Sequence, residues 1–250
     1  MTVKRLLFII ALAMCLPAHA VDKLPPPTKI LFIGNSFTFW NKGLWYHTEQ
    51  LALARPDKLK IKADKVVRGG ASLKVMWGKS KSRETISKGK YDIVVLQEDI
   101  PETNVKTFHQ YARKFEALIR QSGAKPVFFM AWPYKRLGWI NMKEIAEAHR
   151  VIGTELKAPV APVGLAWVEA KKQQPKVVLY DKDKEHPSTQ GTYLALCVIY
   201  CTIYDENPEK LEYMPKKSRL FSAKNLMTDK EAAWLRHIAW QTVQAWQKGK

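Results

Sequence analysis

The chain is poor in cysteine, poor in acid and without a long apolar run, and each deficit closes a line of interpretation. Its three cysteines, Cys15, Cys197 and Cys201, offer neither zinc-ribbon spacing nor a disulfide framework. Cys197 and Cys201 recur at helical spacing, which suits core packing better than a bridge. No G-x-G-x-x-G or G-x-x-x-x-G-K-S/T sequence is present, so neither common glycine-rich phosphate cradle can form. No H-E-x-x-H motif occurs, and His47, His109, His149 and His237 fall in helix-patterned segments where packing or surface placement is the default. No metal and no cofactor is expected.

The shortage of acid leaves 23 carboxylates against 41 lysines and arginines, a formal charge of +18. The basic stretches at Lys79, Lys81, Arg83, Lys88 and Lys90, and at Lys216, Lys217, Arg219 and Lys224, carry no nucleic-acid module. They read as solvated faces, and no nucleic-acid partner is expected. The apolar run from Leu6 to Leu16 is eleven residues long, well short of the roughly 20 needed to span a bilayer as a helix. Lys4 and Arg5 precede it and Pro17, Ala18, His19 and Ala20 follow, the layout of a secretory signal with a small-x-small cleavage site. Lipidation at Cys15 is a lesser alternative, since Met14 is larger than the residue that usually precedes a lipidated cysteine.

The expected organisation is therefore a signal peptide over 1–20, a proline-rich leader over 21–28 containing Pro25, Pro26 and Pro27, and one domain over 29–250. Cleavage removes Lys4, Arg5 and no acid, leaving +16 on a monomeric domain. A periplasmic or secreted location follows, with no stable transmembrane segment in the mature chain. Export makes anionic envelope polymers, acidic polysaccharides or phospholipid surfaces the counterparts of that charge, which favours loose association without specifying chemistry.

Strand and helix patterns then alternate. KILFI at Lys29 to Ile33, Val66 with Val67, YDIVVL at Tyr91 to Leu96 and KPVFFMA at Lys125 to Ala131 read as buried strands, with a weaker fifth near Val160 to Val163 and an edge element at Val177 to Tyr180. Helices are expected over about 42–54, 105–121 and 142–156. Ser188 caps another that carries Leu194, Cys197, Val198 and Cys201, and Thr228 with Glu231 opens a last one with Leu235, Ile238, Ala239 and Val243 inward. Connections of this length favour a parallel three-layer α/β sandwich.

Ser36 stands in FIGNSFT just past the first strand, where a side chain is displayed at the sheet's carboxyl edge. A lone serine there is more often a turn or cap residue. His186 in DKDKEHPSTQG supplies a partner, and Asp183 three residues earlier can hold one imidazole nitrogen while the other faces the hydroxyl. Asp181 and Glu185 compete for that orienting role. The pattern points to a serine nucleophile attacking an acyl carbon.

With these residues in place the chain resembles the SGNH, or GDSL-like, esterase and lipase superfamily. Gly34, Asn35 and Ser36 match its nucleophile block, Asp183 and His186 its D-x-x-H block, and HPSTQGTYLA the histidine-to-helix segment of poorly characterised bacterial members. The resemblance implies a flavodoxin-like α/β/α domain and hydrolysis through an acyl-serine. Gly70 matches the second-block glycine, with Gly69 as an alternative register. The third-block asparagine is absent, and Gln97, in an L-Q-E sequence shared with some members, is the substitute oxyanion donor beside the Ser36 and Gly70 N–H groups.

Trp40, Trp45, Trp132 and Tyr134 follow strand ends and are expected to form a substrate wall, since planar side chains bury large area with little rotamer loss. Arg68 and Lys135 could attract an anionic substrate. Removal of O-acyl, above all O-acetyl, groups from a carbohydrate is the leading expectation. A lipid or thioester hydrolase is the enzymatic alternative, and a non-catalytic envelope or carbohydrate-binding protein with this fold the other.

Overall fold

The apolar run KILFIG forms an interior strand, β1 (Lys29–Gly34), because both its faces are covered and every second residue can enter a different core. In this computed structural model residues 25–137, 141–215 and 227–249 are described. The expected signal segment, the first half of the expected leader and the basic stretch from Lys216 to Lys224 lie outside them. After β1 come α1 (Ser36–Phe39), α2 (Leu44–Leu53), β2 (Lys62–Val67), α3 (Leu73–Lys79), α4 (Ser82–Gly89) and β3 (Ile93–Gln97). There follow α5 (Val105–Gln121), β4 (Lys125–Phe129), α6 (Met142–Glu155), β5 (Val160–Ala161), α7 (Val163–Gln173), α8 (Thr189–Tyr204) and α9 (Asp229–Gln247).

The five strands pair in the order β2-β1-β3-β4-β5, and every pairing is parallel. This is the flavodoxin-like order, and it reverses direction between β1 and β3. Ile30, Phe32, Ile93, Val95, Val127 and Phe129 face one core with α2, α7, α8 and α9, whereas Leu31, Ile33, Val94, Leu96 and Phe128 face the other with α3, α4, α5 and α6. The strand period of two therefore divides the chain into three layers. The expected α/β/α sandwich is the architecture observed.

Two expectations give way to local chemistry. The fifth strand stops at Ala161 rather than Val163, because Pro162 has no N–H to donate and Val163 already begins α7. Val177 to Tyr180 does not join the sheet. Ser188 Oγ donates to the Val178 carbonyl, Ser188 N–H to the Leu179 carbonyl, and Gln190 Oε1 accepts from Val178 N–H, so the start of α8 satisfies this backbone instead. Only an isolated antiparallel bridge from Tyr180 to Pro187 remains. That bridge closes the loop bearing Asp183 and His186.

Candidate active site

Gly34 ends β1 where the chain must pass close to β3, and a Cβ there would collide with Thr38 Oγ1 and the Gln97 side chain. Asn35 then caps α1, its Oδ1 accepting from Phe37 N–H at 3.0 Å. Ser36 is thereby the first residue of a four-residue helix at the carboxyl end of β1, on the topological switch point. Ser36 N–H has no intramolecular acceptor among the described residues.

The loop from Asp181 to His186 folds on itself, with Asp181 N–H donating to the His186 carbonyl at 2.7 Å and Lys184 in left-handed backbone at φ 62°. Asp183 Oδ1 accepts the N–H groups of Glu185 and His186 at 3.0 and 2.9 Å. Its Oδ2 lies 2.6 Å from His186 Nδ1, and His186 Nε2 lies 2.7 Å from Ser36 Oγ. The structure thus brings together serine, imidazole and carboxylate from positions 150 residues apart in sequence. Burial pushes the Asp183 carboxyl up, but the two backbone N–H groups and the imidazole outweigh it and hold the group below the usual carboxylate range.

The competing acids are occupied elsewhere. Asp181 Oδ2 accepts from Trp40 Nε1 at 3.3 Å, and Glu185 pairs with Arg136. Arg136 also reaches Glu102 at 2.9 Å, Trp132 Nε1 donates to the Glu185 carbonyl at 3.0 Å, and Lys135 N–H to the Lys184 carbonyl at 3.0 Å. The segment after β4 therefore holds the histidine loop by three separate bonds, to the Glu185 carboxylate, the Glu185 carbonyl and the Lys184 carbonyl.

Three sequence expectations need correction. Gln97 is fully buried, its Oε1 accepting from Asn35 N–H at 2.8 Å while its Nε2 donates to the Glu98 carbonyl at 2.8 Å. Its amide is a strut between β1 and β3, buried in the interior rather than presented to an oxyanion. Trp132 is fully buried, sandwiched between Phe37 at 4.6 Å and Trp167 at 3.8 Å between ring centroids, so it supports the floor beneath α1 rather than a substrate. Tyr134 is buried too, edge-on to Phe37, with its hydroxyl donating to Asp99. A substrate wall is the expectation for aromatics at strand ends, but here Trp132 and Tyr134 fill the space under the Ser36 turn.

Of the expected wall, Trp40 is the residue that meets the imidazole, its ring stacked on His186 at 3.9 Å and 16°. Trp45 is half-buried on α2, folded towards Gly43 with Lys65 Nζ 4.3 Å from its ring centre. Gly70 is exposed on the loop after β2, at φ 59°, a conformation glycine adopts without penalty. Its N–H has no intramolecular acceptor among the described residues, and Arg68 N–H donates to the Gly34 carbonyl at 3.1 Å, which seats that loop beside β1.

Sequence reasoning missed two acids beside the site. Glu98 accepts from Leu73 N–H and Asp99 N–H at 3.3 and 2.7 Å, tying the Gly70 loop to the end of β3. Burial pushes Glu98 up to about 7 and Asp99 up to about 6. The available signal was a Gln-Glu-Asp run directly after an apolar strand, where burial is the exception for acids. Among the described residues no group of three or more His, Cys, Asp or Glu is placed to hold a metal ion, and no helix is long and apolar enough to cross a membrane.

No protein-family model matches the sequence, and no curated protein matches it at a significant level. Solved structures do. The chain is 25% identical to a protein of Slackia heliotrinireducens provisionally described as an SGNH hydrolase, over 70% of this chain and 98% of that one, with a TM-score of 0.58. A DUF4886 family protein from Bacteroides uniformis is 15% identical over 87% and 95% of the two chains, at a TM-score of 0.66. An acetylxylan esterase from Geobacillus stearothermophilus is 15% identical over 79% and 100%, at 0.53. The last two likenesses are of fold.

Proposed function

We propose that this chain, a member of the SGNH, GDSL-like hydrolase superfamily, is an exported serine esterase that removes O-acetyl groups from a carbohydrate through an acyl-serine. The observation that carries the reading is the unbroken line from Ser36 Oγ to His186 Nε2 at 2.7 Å and from His186 Nδ1 to Asp183 Oδ2 at 2.6 Å. Ser36 Oγ attacks the acyl carbon while His186 Nε2 takes its proton, and Asp183 stabilises the imidazolium so formed. The free N–H groups of Ser36 and Gly70 receive the oxyanion. His186 then returns the proton to the departing sugar hydroxyl, leaving an acyl-serine. Water, deprotonated by the same imidazole, attacks that ester and releases the acid and Ser36.

Acetyl-sugar chemistry is supported by the acetylxylan esterase among the fold neighbours and by the signal-like pattern of residues 1–20. The test uses residues 21–250 against acetylated sugars and a series of longer acyl esters, with intact-mass and peptide mapping for an adduct at Ser36. Wild type should turn over acetyl esters and carry the adduct, and Ser36→Ala should lose at least about 10³-fold in kcat. Equal rates for the two proteins would remove Ser36 from the mechanism, and a preference for long chains would replace the substrate class.

A further inference from the structure

An open groove of about 640 Å³ runs along the outer side of the histidine loop. Lys135 from the segment after β4, Lys171 near the end of α7, and Lys176, Lys182 and Lys184 around the loop itself line it, with Asp181 as the single acid. None of the five lysines forms an ion pair with a carboxylate among the described residues. The acids nearest in sequence are engaged by other groups: the Asp181 carboxylate by Trp40 Nε1 and the Lys182 N–H, Asp183 by His186 and Glu185 by Arg136. Like charges gathered around a concavity repel one another, and the repulsion is relieved when an anion enters. Lys171 Nζ donates to the Pro175 and Val177 carbonyls at 2.9 and 2.8 Å, and the group is held below the ordinary lysine range first by burial and then by the charge of Lys135.

The floor is formed by Val177, Val178, Leu179 and Tyr180. Val178 is 55% exposed, and the Tyr180 hydroxyl is fixed to the Pro133 carbonyl at 2.8 Å. An apolar floor ringed by ammonium groups suits a sugar ring bearing a carboxylate. The lysines come from three chain segments around a hollow rather than from one flat face, which suits a linear polymer better than a bilayer. The groove is mechanically joined to the site, because Lys135 N–H donates to the Lys184 carbonyl one residue from Asp183.

We infer that this lysine groove is a binding subsite for an acidic polysaccharide, holding uronate carboxylates of the polymer whose acetyl ester Ser36 cleaves. The inference rests on the esterase reading for its last clause and on the groove for its first. The test measures binding of unesterified polygalacturonate to residues 21–250, and KM for O-acetylated polygalacturonate against O-acetylated xylan, in wild type and in Lys135→Gln/Lys176→Gln. In wild type polyuronate affinity should fall about tenfold between 50 and 500 mM NaCl, and KM should be lower for the anionic polymer. The double variant should lose roughly tenfold in polyuronate affinity with an unchanged melting temperature, and Lys135→Arg/Lys176→Arg should restore it.

Equal affinity in wild type and the Gln variant overturns the inference, as does salt-independent binding of xylan and polyuronate alike. So does lysine-dependent capture of phosphatidylglycerol vesicles by a protein that ignores polyuronate. Lysine-dependent polyuronate binding without turnover of any ester would retire the esterase reading and keep the subsite. Turnover of both acetylated polymers at equal KM would retire the subsite alone.

Discussion

Asp183, Asp181 and Glu185 sit within five positions and are chemically almost interchangeable in sequence, yet each side chain has a different partner: His186, Trp40 and Arg136. The D-x-x-H spacing selected Asp183 because an aspartate accepting N–H groups two and three residues ahead points its second oxygen at the imidazole. Asp183→Asn should lower kcat by on the order of 10³-fold with little change in KM. That is short of the roughly 10⁴-fold of a buried triad carboxylate, since water reaches a side chain that is 43% exposed. Asp181→Asn keeps an acceptor for Trp40 and should stay within about fivefold of wild type. Steady-state kinetics on one acetyl ester separates the two, and a reversed ranking would make Asp181 the orienter. Gln97 was illegible at this scale. Its residue type fits an oxyanion donor, and only the contacts of Asn35 N–H and the Glu98 carbonyl with its amide reveal a strut.

Among the elements, those with local signals formed where the sequence put them. α5 spans the expected Val105–Gln121, with Phe108, Ala112, Phe115 and Ile119 buried, because a period of 3.6 is a property of neighbouring residues. α9 starts at its capping box, Glu231 N–H donating to Thr228 Oγ1 at 3.2 Å and Thr228 N–H to Glu231 Oε2 at 2.7 Å. Thr228→Ala should cost about 1 kcal/mol, a fall of roughly 2–4 °C in melting temperature for a domain of this size, with acetyl-ester kcat unchanged because α9 packs chiefly on α7 and α8. Calorimetry checks the first figure; a melting temperature at the wild-type value would show that the box contributes nothing here. The apolar residues of 177–180 satisfy the local pattern of an edge strand. What decided otherwise was the competing supply of partners at the start of α8.

Over the whole molecule, buried titrating groups pull stability in opposite directions with pH. Burial holds His149 down at about 4 and lowers His47, so their contribution is lost as pH falls below the unfolded histidine range. Glu98 is raised to about 7 from 4.5, so the folded state keeps a proton that the unfolded chain gives up, and its contribution is lost as pH rises between those values. A wild-type melting curve sums these effects. The difference between Glu98→Gln and wild type isolates one: the variant retains the acceptor for Leu73 and Asp99 but cannot ionise, and should gain on the order of 2 kcal/mol relative to wild type between pH 5 and pH 8. Chemical denaturation at the two pH values measures it, and a constant difference would mean that Glu98 is ionised throughout. The parallel layering and the candidate pair Ser36 and His186 were legible in the sequence itself, because periodicity, capping and turn chemistry act between residues a few positions apart. Which acid orients the histidine, which aromatics meet it, where Gln97 spends its amide and how five scattered lysines come to line one groove were decided by tertiary structure alone. Each depends on a partner brought in by the crossovers from a distant part of the chain, and a linear pattern carries no record of such partners.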